Sequence, residues 1–288
     1  MAHFDWKRRS LGGEGEKLSG MRADELLVHK GLIESREKAK RLIMAGKVYI
    51  NGEKVDKASR KFDKDSKIVI KEPEKYVSRG GYKIESAWRE FQFDVKGKIC
   101  CDIGASTGGF TDFLLQHGAK KVYAIDVGKG QLHWKLRNDN RVAIMEKTNA
   151  RYIDEKVLGE KVDFVTCDVS FISILKISHS VYNILKDDGN FLILVKPQFE
   201  APRNKVKKGI VKDKGTHKEV LLRVIEHLND RGLRVKNVCY SGLRGVKGNI
   251  EYFVYGSKNG ELKGIKDYNS VVSKVVERAH EHFGGNEG

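Results

Sequence analysis

The densest chemical signal in the sequence is the run Asp102-Ile103-Gly104-Ala105-Ser106-Thr107-Gly108-Gly109-Phe110. An apolar stretch, Lys98–Ile103, ends there in an acidic residue and a glycine. After a few small residues a helix-periodic stretch begins at Phe110. Glycines let a ligand come close to the main chain, and the first turn of a helix offers amide donors without intrahelical partners. About 22 residues beyond Gly104 the next apolar stretch closes on Asp126-Val127, where a nucleotide-binding α/β fold sets a carboxylate against ribose hydroxyls. The spacing G-x-x-x-G-G lacks the third glycine of a dinucleotide fingerprint, which weighs against a nicotinamide cofactor.

Four more residues stand out. Asp168 lies at the end of the strand-like stretch Val162–Val169, and Lys196 directly follows Phe191–Val195. Both therefore fall at carboxyl ends of strands, over the same face as the glycine loop. A lysine directly behind an apolar strand is unusual, because a buried ammonium is costly unless paired; the plainer alternative is a side chain that reaches solvent. Lys83, in SRGGYK, and Glu251, in GNIEYF, complete a set of two ammonium and two carboxylate groups.

The elements that must position these residues follow a regular rhythm. Strands are expected over Lys98–Ile103, Lys121–Val127, Val142–Met145, Val162–Val169 and Phe191–Val195, and helices over Phe110–His117, Gln131–Arg137, Leu175–Leu185 and His217–Arg231. Val235–Tyr240 and Glu251–Tyr255 finish as a close strand pair. Such alternation predicts an α/β, Rossmann-like sheet, mostly parallel with one antiparallel edge hairpin, and ligands at the carboxyl ends of its strands. That domain is expected over 83–260, with a C-terminal helix and tail over 261–288. Residues 72–82, with Pro73 and Gly80-Gly81, read as a linker. Ahead of it, residues 21–71 read as a small α+β domain. Its helices are Arg22–Lys30 and Arg36–Ala45, the second capped by Ser35, followed by strand Val48–Ile50, an Asn51-Gly52 hairpin turn and a last strand Ile68–Ile70. Residues 1–20 are Gly-rich and aperiodic and read as an expression leader or disordered tail, with Met21 the natural start.

The formal net charge is +16, from 55 Lys and Arg against 39 Asp and Glu, which favours a polyanionic partner. The run Arg203–Gly215 holds six basic residues against one acidic, Asp213. It is either an RNA-facing loop, through Arg203, Lys205, Lys207 and Lys208, or a solvated insert. The four cysteines show no zinc-ligand spacing with the histidines and read as reduced core thiols, which implies a cytoplasmic location. No metal site is expected. No apolar run reaches the ~18–20 residues that span a bilayer, and no membrane partner is expected.

Two resemblances join these readings. The segment GLIESREKAKRLIMAGKVYINGEKV is similar to the small RNA-binding domain named after ribosomal protein S4. It implies that the basic residues Arg22, Arg36, Lys40, Arg41 and Lys47 face RNA phosphates, which positions RNA without reading its sequence. The acidic residue before the first glycine and the carboxylate closing the second strand resemble the S-adenosylmethionine site of methyltransferases. The implied cofactor contacts are Asp102, Gly104, Ala105, Ser106, Thr107, Gly108, Gly109, Phe110, Asp126, Val127 and Asp168. Asn149 is an adenine contact in that reading and a surface turn residue in the plainer one.

Lys83, Asp168, Lys196 and Glu251 together resemble the Lys-Asp-Lys-Glu tetrad of FtsJ-like ribose 2′-O-methyltransferases. YVSRGGYK, DIGASTGGFTD, CDVSFIS, LVKPQFE and GNIEYF stand in the order of the TlyA family, hemolysins that are ribosomal RNA 2′-O-methyltransferases. The resemblance implies methyl transfer from S-adenosylmethionine to a ribose 2′-hydroxyl of ribosomal RNA, within ribosomal subunits. Lys196 would be the general base, with a role as charged oxyanion stabiliser left open. Asp168 would orient Lys196, and Glu251 would fix Lys83. Amino-group methylation usually carries an Asn/Asp-Pro-Pro-aromatic run where this chain has Asp168-Val-Ser-Phe171, and carbon methylation needs a cysteine after proline, which is absent. A membrane-lytic protein and an RNA-binding protein without catalysis are the rivals; the absence of amphipathic or spanning segments opposes the first, and the intact loop and tetrad oppose the second. Tyr82, Phe171 and Phe199 read as core packing, with base stacking the alternative.

Overall fold

The computed structural model describes residues 20–71, 74–259 and 267–284. The expected leader lies, but for Gly20, outside the described residues. The chain divides between Glu74 and Lys75 into two compact units.

In the first unit, β1 (Met21–Arg22) leads into α1 (Ala23–His29) and α2 (Arg36–Met44), followed by β2 (Val48–Ile50), β3 (Glu53–Lys54), β4 (Lys61–Phe62) and β5 (Ile68–Ile70). Strand β2 lies between β3 and β5 in an antiparallel sheet, and β1 pairs with β4. Ser35 caps α2 by accepting the Lys38 N–H at 3.3 Å. Asn51 and Gly52 turn at φ +53° and +84°, the paired positive angles that a two-residue hairpin requires. Leu26, Leu27, Ile43, Val48 and Ile50 fill the small core.

The second unit opens with α3 (Arg79–Phe91), β6 (Ile99–Ile103), α4 (Gly109–Gln116), β7 (Lys121–Ile125), α5 (Trp134–Arg137), β8 (Val142–Met145), α6 (Glu155–Leu158) and β9 (Val162–Cys167). It continues with α7 (Ser178–Ile184), β10 (Leu185–Val195), α8 (Pro197–Glu200), α9 (Lys214–Asp230), β11 (Leu233–Tyr240), β12 (Tyr252–Lys258) and α10 (Tyr268–Gly284). The sheet order is β11-β12-β10-β9-β6-β7-β8, with β12 antiparallel to both neighbours and the other pairings parallel. Successive strand residues serve opposite faces. Val165 and Ile193 join one apolar cluster with Val181, Leu221 and Val272, whereas Phe164 and Leu192 join another with Ile84, Phe113 and Leu114. The antiparallel edge pair and the mostly parallel sheet agree with the sequence pattern. Strands β6, β7 and β8 step outward in one direction and β9 and β10 in the other. The sheet therefore has its switch point between β6 and β9, where a ligand crevice is expected.

Of residues 72–82, read as a linker, 72 and 73 lie outside the described residues and 79–82 belong to helix α3. Gly80 and Gly81 look like breakers but lie in the first turn of a 13-residue helix. A Cβ on Gly81 would lie 2.1 Å from Cγ of the buried Tyr76, so the glycine admits a ring rather than a bend. Ile84 and Ala87 then bury one helix face. Two helices are shorter than their patterns: α5 begins at Trp134, and a 3₁₀ turn over Ile174–Lys176 replaces the start expected for α7.

Gly109 faces α3 at equally close range. A Cβ there would lie 2.4 Å from Ser78 Oγ, 2.7 Å from Gly81 N and 2.8 Å from Gly80 Cα. Because two of these neighbours are main chain, Gly109→Ala should destabilise the protein by ~1–3 kcal/mol, the usual cost of overpacking. Denaturant unfolding should show a lower midpoint at unchanged slope; wild-type stability would show that α3 yields.

Candidate active site

At the switch point the chain leaves β6 through Gly104, whose φ is +83°. A Cβ there would lie 2.4 Å from the main-chain oxygen of Asp168, so only glycine lets the ends of β6 and β9 close together. The amides of Gly104 and Ala105 both donate to Ile125 O, at 2.8 and 3.0 Å, which locks the loop to the end of β7. Ser106, at φ +49°, donates its N–H to Asp126 Oδ2 at 2.9 Å, and Gly128 N–H donates to Oδ1 at 2.7 Å.

Gly108 is likewise expected to approach the ligand. Its φ of +97° requires glycine, but a Cβ would point at Leu136 Cδ1 (2.2 Å) and Leu132 Cδ1 (2.8 Å), within the apolar packing. Gly109, though it borders the crevice, owes its lack of a side chain to α3.

Two cavities meet over this loop. One, of ≈ 290 Å³, takes in Ser78, Lys83, Asp102, Phe110, Lys196 and Arg244. The other, of ≈ 380 Å³, takes in Asp126, Val127, Thr148, Asn149, Phe171 and Ile172. Gly104, Ser106, Asp168 and Ser170 belong to both. Ala105, Thr107 and Gly109 line the first; Gly108 lines neither. Asn149 Oδ1 accepts the Arg151 N–H at 3.1 Å, so its side chain also caps the following 3₁₀ turn.

Helix α3 and the ends of β9, β10 and β12 bring the four charged residues together as two ion pairs. Lys83 Nζ, on α3, lies 2.6 Å from Glu251 Oε2, just before β12. Lys196 Nζ lies 2.5 Å from Asp168 Oδ1 and donates to Ser170 Oγ at 2.9 Å. The buried Oδ1 has no aligned hydrogen-bond donor, so its contact with Lys196 is one of charge and proximity. Lys196 is buried, and the alternative of a solvated strand-end lysine is thereby ruled out. Glu251 is 2% exposed; Gln198 Nε2 donates to its other oxygen at 3.2 Å, and a Cβ on Gly245 would strike its carboxylate. Ser170, Gln198 and Gly245 were not singled out from the sequence, although the first two stand inside CDVSF and LVKPQFE.

Asp102 is 1% exposed and accepts hydroxyl hydrogen bonds from Thr111 (2.7 Å) and Thr166 (3.0 Å), joining β6 to α4 and β9. Burial pushes its carboxyl up to about 6 against the pull of those hydroxyls, and the negative charge of Asp168 adds to the rise. Burial likewise pushes the Cys167 thiol up, leaving it a core group rather than a nucleophile.

Phe171 departs from the expectation of core packing. It is 91% exposed at φ +64°, with its ring centroid 5.0 Å from that of Phe199. Tyr82 instead packs edge-on against Tyr76 at 5.2 Å.

Among the basic residues of the first unit, Arg22 and Arg36 both reach the buried Asp24, at 3.0 and 3.2 Å, and Lys40 reaches Glu37 at 2.7 Å. Burial drives the Asp24 carboxyl up, but the two guanidinium groups outweigh it and hold it below its ordinary value. Arg41 and Lys47 form no ion pair among the described residues. In the 203–215 run Lys205 meets Glu219 at 2.5 Å, while Arg203, Lys207 and Lys208 are exposed.

A mostly parallel sheet with this strand order and a loop-and-carboxylate crevice at its switch point define a Rossmann-like methyltransferase. Residues 76–258 match the FtsJ-like methyltransferase family and residues 21–68 the S4 domain. A "Putative rRNA methyltransferase YqxC" from Bacillus subtilis is 48% identical over 263 residues, covering 90% of this chain and 94% of that protein. The "16S/23S rRNA (cytidine-2'-O)-methyltransferase TlyA" of Mycobacterium tuberculosis is 41% identical over 237 residues, 81% of this chain and 88% of that one. The solved "Putative hemolysin from Streptococcus thermophilus" superposes with a TM-score of 0.72 at 44% identity, covering 93% of this chain and 98% of that one. The chain belongs to the TlyA family of FtsJ-like methyltransferases. Among the described residues no helix is long and apolar enough to cross a membrane.

The methyl donor of such an enzyme is S-adenosylmethionine, and the crevice fits it. Each Asp126 oxygen accepts one main-chain N–H and keeps capacity for a ribose hydroxyl. Ile125, Ala150, Val169 and Ile172 offer apolar walls for a base, and Asp102 and Asp168 suit a cationic sulfonium.

The raised carboxyl of Asp102 makes a signed prediction. Its ionised form is penalised in the fold, so the penalty is absent below its ordinary 3.8 and complete above about 6. Stability should fall as pH rises through that window, by about 3 kcal/mol relative to an Asp102→Asn variant that cannot ionise. Parallel pH–stability curves for the two proteins would refute the assignment.

Proposed function

We propose that this protein transfers a methyl group from S-adenosylmethionine to a ribose 2′-hydroxyl of ribosomal RNA. The observation that carries the reading is the buried Lys196 and the part-buried Lys83, each paired with a carboxylate, on one cavity with Gly104. The relative named TlyA supports ribose as acceptor and ribosomal RNA as substrate, and the S4 domain supports RNA binding. A ribosomal substrate sets the reaction in the cytoplasm.

A ribose hydroxyl is a weak nucleophile and must give up its proton as it attacks. The bound cofactor supplies an activated methyl group on a sulfonium. Lys196 Nζ is the proposed proton acceptor, and Asp168 and Ser170 hold that nitrogen in place. Asp168 borders both cavities, so its carboxylate would face the cofactor's positive charge as well as the Lys196 ammonium. Lys83, fixed by Glu251, adds a second positive charge that steadies the developing alkoxide. Cofactor contacts are assigned to Asp102, the Gly104–Thr107 loop, Asp126, Val127 and Asn149. Phosphate contacts are assigned to the basic residues of the S4 domain, Arg41 and Lys47 foremost, and to Arg203, Lys207 and Lys208. Phe171 offers an exposed aromatic face on which a base can stack.

Labelled S-adenosylmethionine and purified ribosomal subunits test this directly, with the modified position mapped by reverse-transcription stops at low nucleotide concentration. Lys196→Ala should lose ~10²–10⁴-fold in turnover with cofactor affinity retained. Lys196→Arg should recover little, since a guanidinium does not release its proton. Label on a base refutes the ribose assignment, and an active Lys196→Arg enzyme makes the lysine a charge stabiliser. Phe171→Ala should weaken RNA methylation without loss of stability, because its ring is exposed; unchanged methylation would remove the stacking role.

A further inference from the structure

Next to the catalytic cavity lies a basic one. It measures ≈ 310 Å³ and is lined by Lys212, Arg244, Lys247 and His280, with Ile250 and Phe283 as apolar walls. Its described lining contains no carboxylate. Arg244 also lines the catalytic cavity, so the two adjoin.

The two lysines come from separate loops that a single buried side chain ties together. Asn249, 3% exposed, accepts the Val211 N–H at 3.2 Å and donates to Gly209 O at 2.9 Å and Val246 O at 3.1 Å. His217 adds a second tie, its Nε2 lying 2.9 Å from Val211 O and its Nδ1 3.2 Å from His280 Nε2. Lys212 and Lys247 form no ion pair among the described residues. Lys212 and Lys247, held on braced loops with no ion pair among the described residues, suit an anion that arrives with a ligand.

We infer that this pocket clamps one backbone phosphate of the RNA strand, beside the nucleotide whose ribose enters the catalytic cavity. The inference rests on the proposed RNA substrate. Lysine ammonium groups contact the phosphate oxygens, and the apolar walls face the adjoining sugar. Such a contact sets the register of the strand and carries no sequence information. Neither lysine belongs to the S4 domain; Lys212 lies in the basic run Arg203–Gly215 but apart from Arg203, Lys205, Lys207 and Lys208.

The test uses full-length wild-type protein and the Lys212→Gln/Lys247→Gln double variant. Affinity for a short single-stranded RNA of mixed sequence is measured across a salt series. The slope of log affinity against log salt should fall by about 0.7, the share of the one phosphate that the two lysines neutralise together. With ribosomal subunits, methylation by the variant should drop at least tenfold at limiting subunit and recover at saturation. Calorimetric affinity for S-adenosylmethionine and the melting temperature should match wild type. An unchanged slope overturns the clamp, as does a variant that melts early or binds the cofactor poorly, since the lysines would then be structural. If wild-type protein methylates no RNA, the reading of the catalytic cavity fails, while the salt series still decides the clamp.

Discussion

The contact between Lys83 and Glu251 joins residues 168 positions apart and fastens a helix outside the alternating pattern to the antiparallel strand of the sheet. Neither group could be buried alone: removing one partner of such a pair costs several kcal/mol through the charge left behind. The surrounding structure is arranged around this demand. Gly245 lacks a side chain where the carboxylate lies, Gln198 bonds its second oxygen, and α3 is drawn close enough to α4 that Gly109 has no room for a side chain.

Lys196 and Asp168 obey the same constraint one strand pair away, with a different outcome. Their carboxylate faces two cavities instead of being enclosed, and the pair is open to whatever enters either one. One pair has its carboxylate enclosed, and the other presents its carboxylate to the cavities, as the proposed proton transfer requires. The S4 domain repeats the first solution on a smaller scale, with Asp24 gripping Arg22 and Arg36 across its two helices.

Much of this was legible in the sequence because it is local. Strand–helix alternation announced the sheet, and the position of Asp168 and Lys196 behind apolar runs announced where they would project. What stayed hidden depends on distant neighbours. Gly80-Gly81 reads as a break because nothing nearby reveals Tyr76 or Gly109 against it. The helix carrying Lys83 was missed for that reason. Arg22 and Arg36 read as free cations until Asp24 is seen buried between them. Asn249 lies two residues from Glu251, yet its task of bracing two loops depends on contacts up to 40 residues away. Phe171 looked like core because aromatic residues usually are, and only the left-handed backbone turn shows its ring directed outward.

The glycines of the signature loop divide their labour unequally, and this bears on what the motif reports. Gly108 answers to Leu132 and Leu136, Gly109 to the first turn of α3, and Gly104 alone to the closure of the crevice. Two of the three would be retained in any descendant that kept the helix packing, whether or not it still bound a nucleoside. The motif is therefore chiefly a record of shared ancestry in the scaffold. A descendant that had given up its chemistry would be recognised by the decay of its charge pairs while the glycines remained.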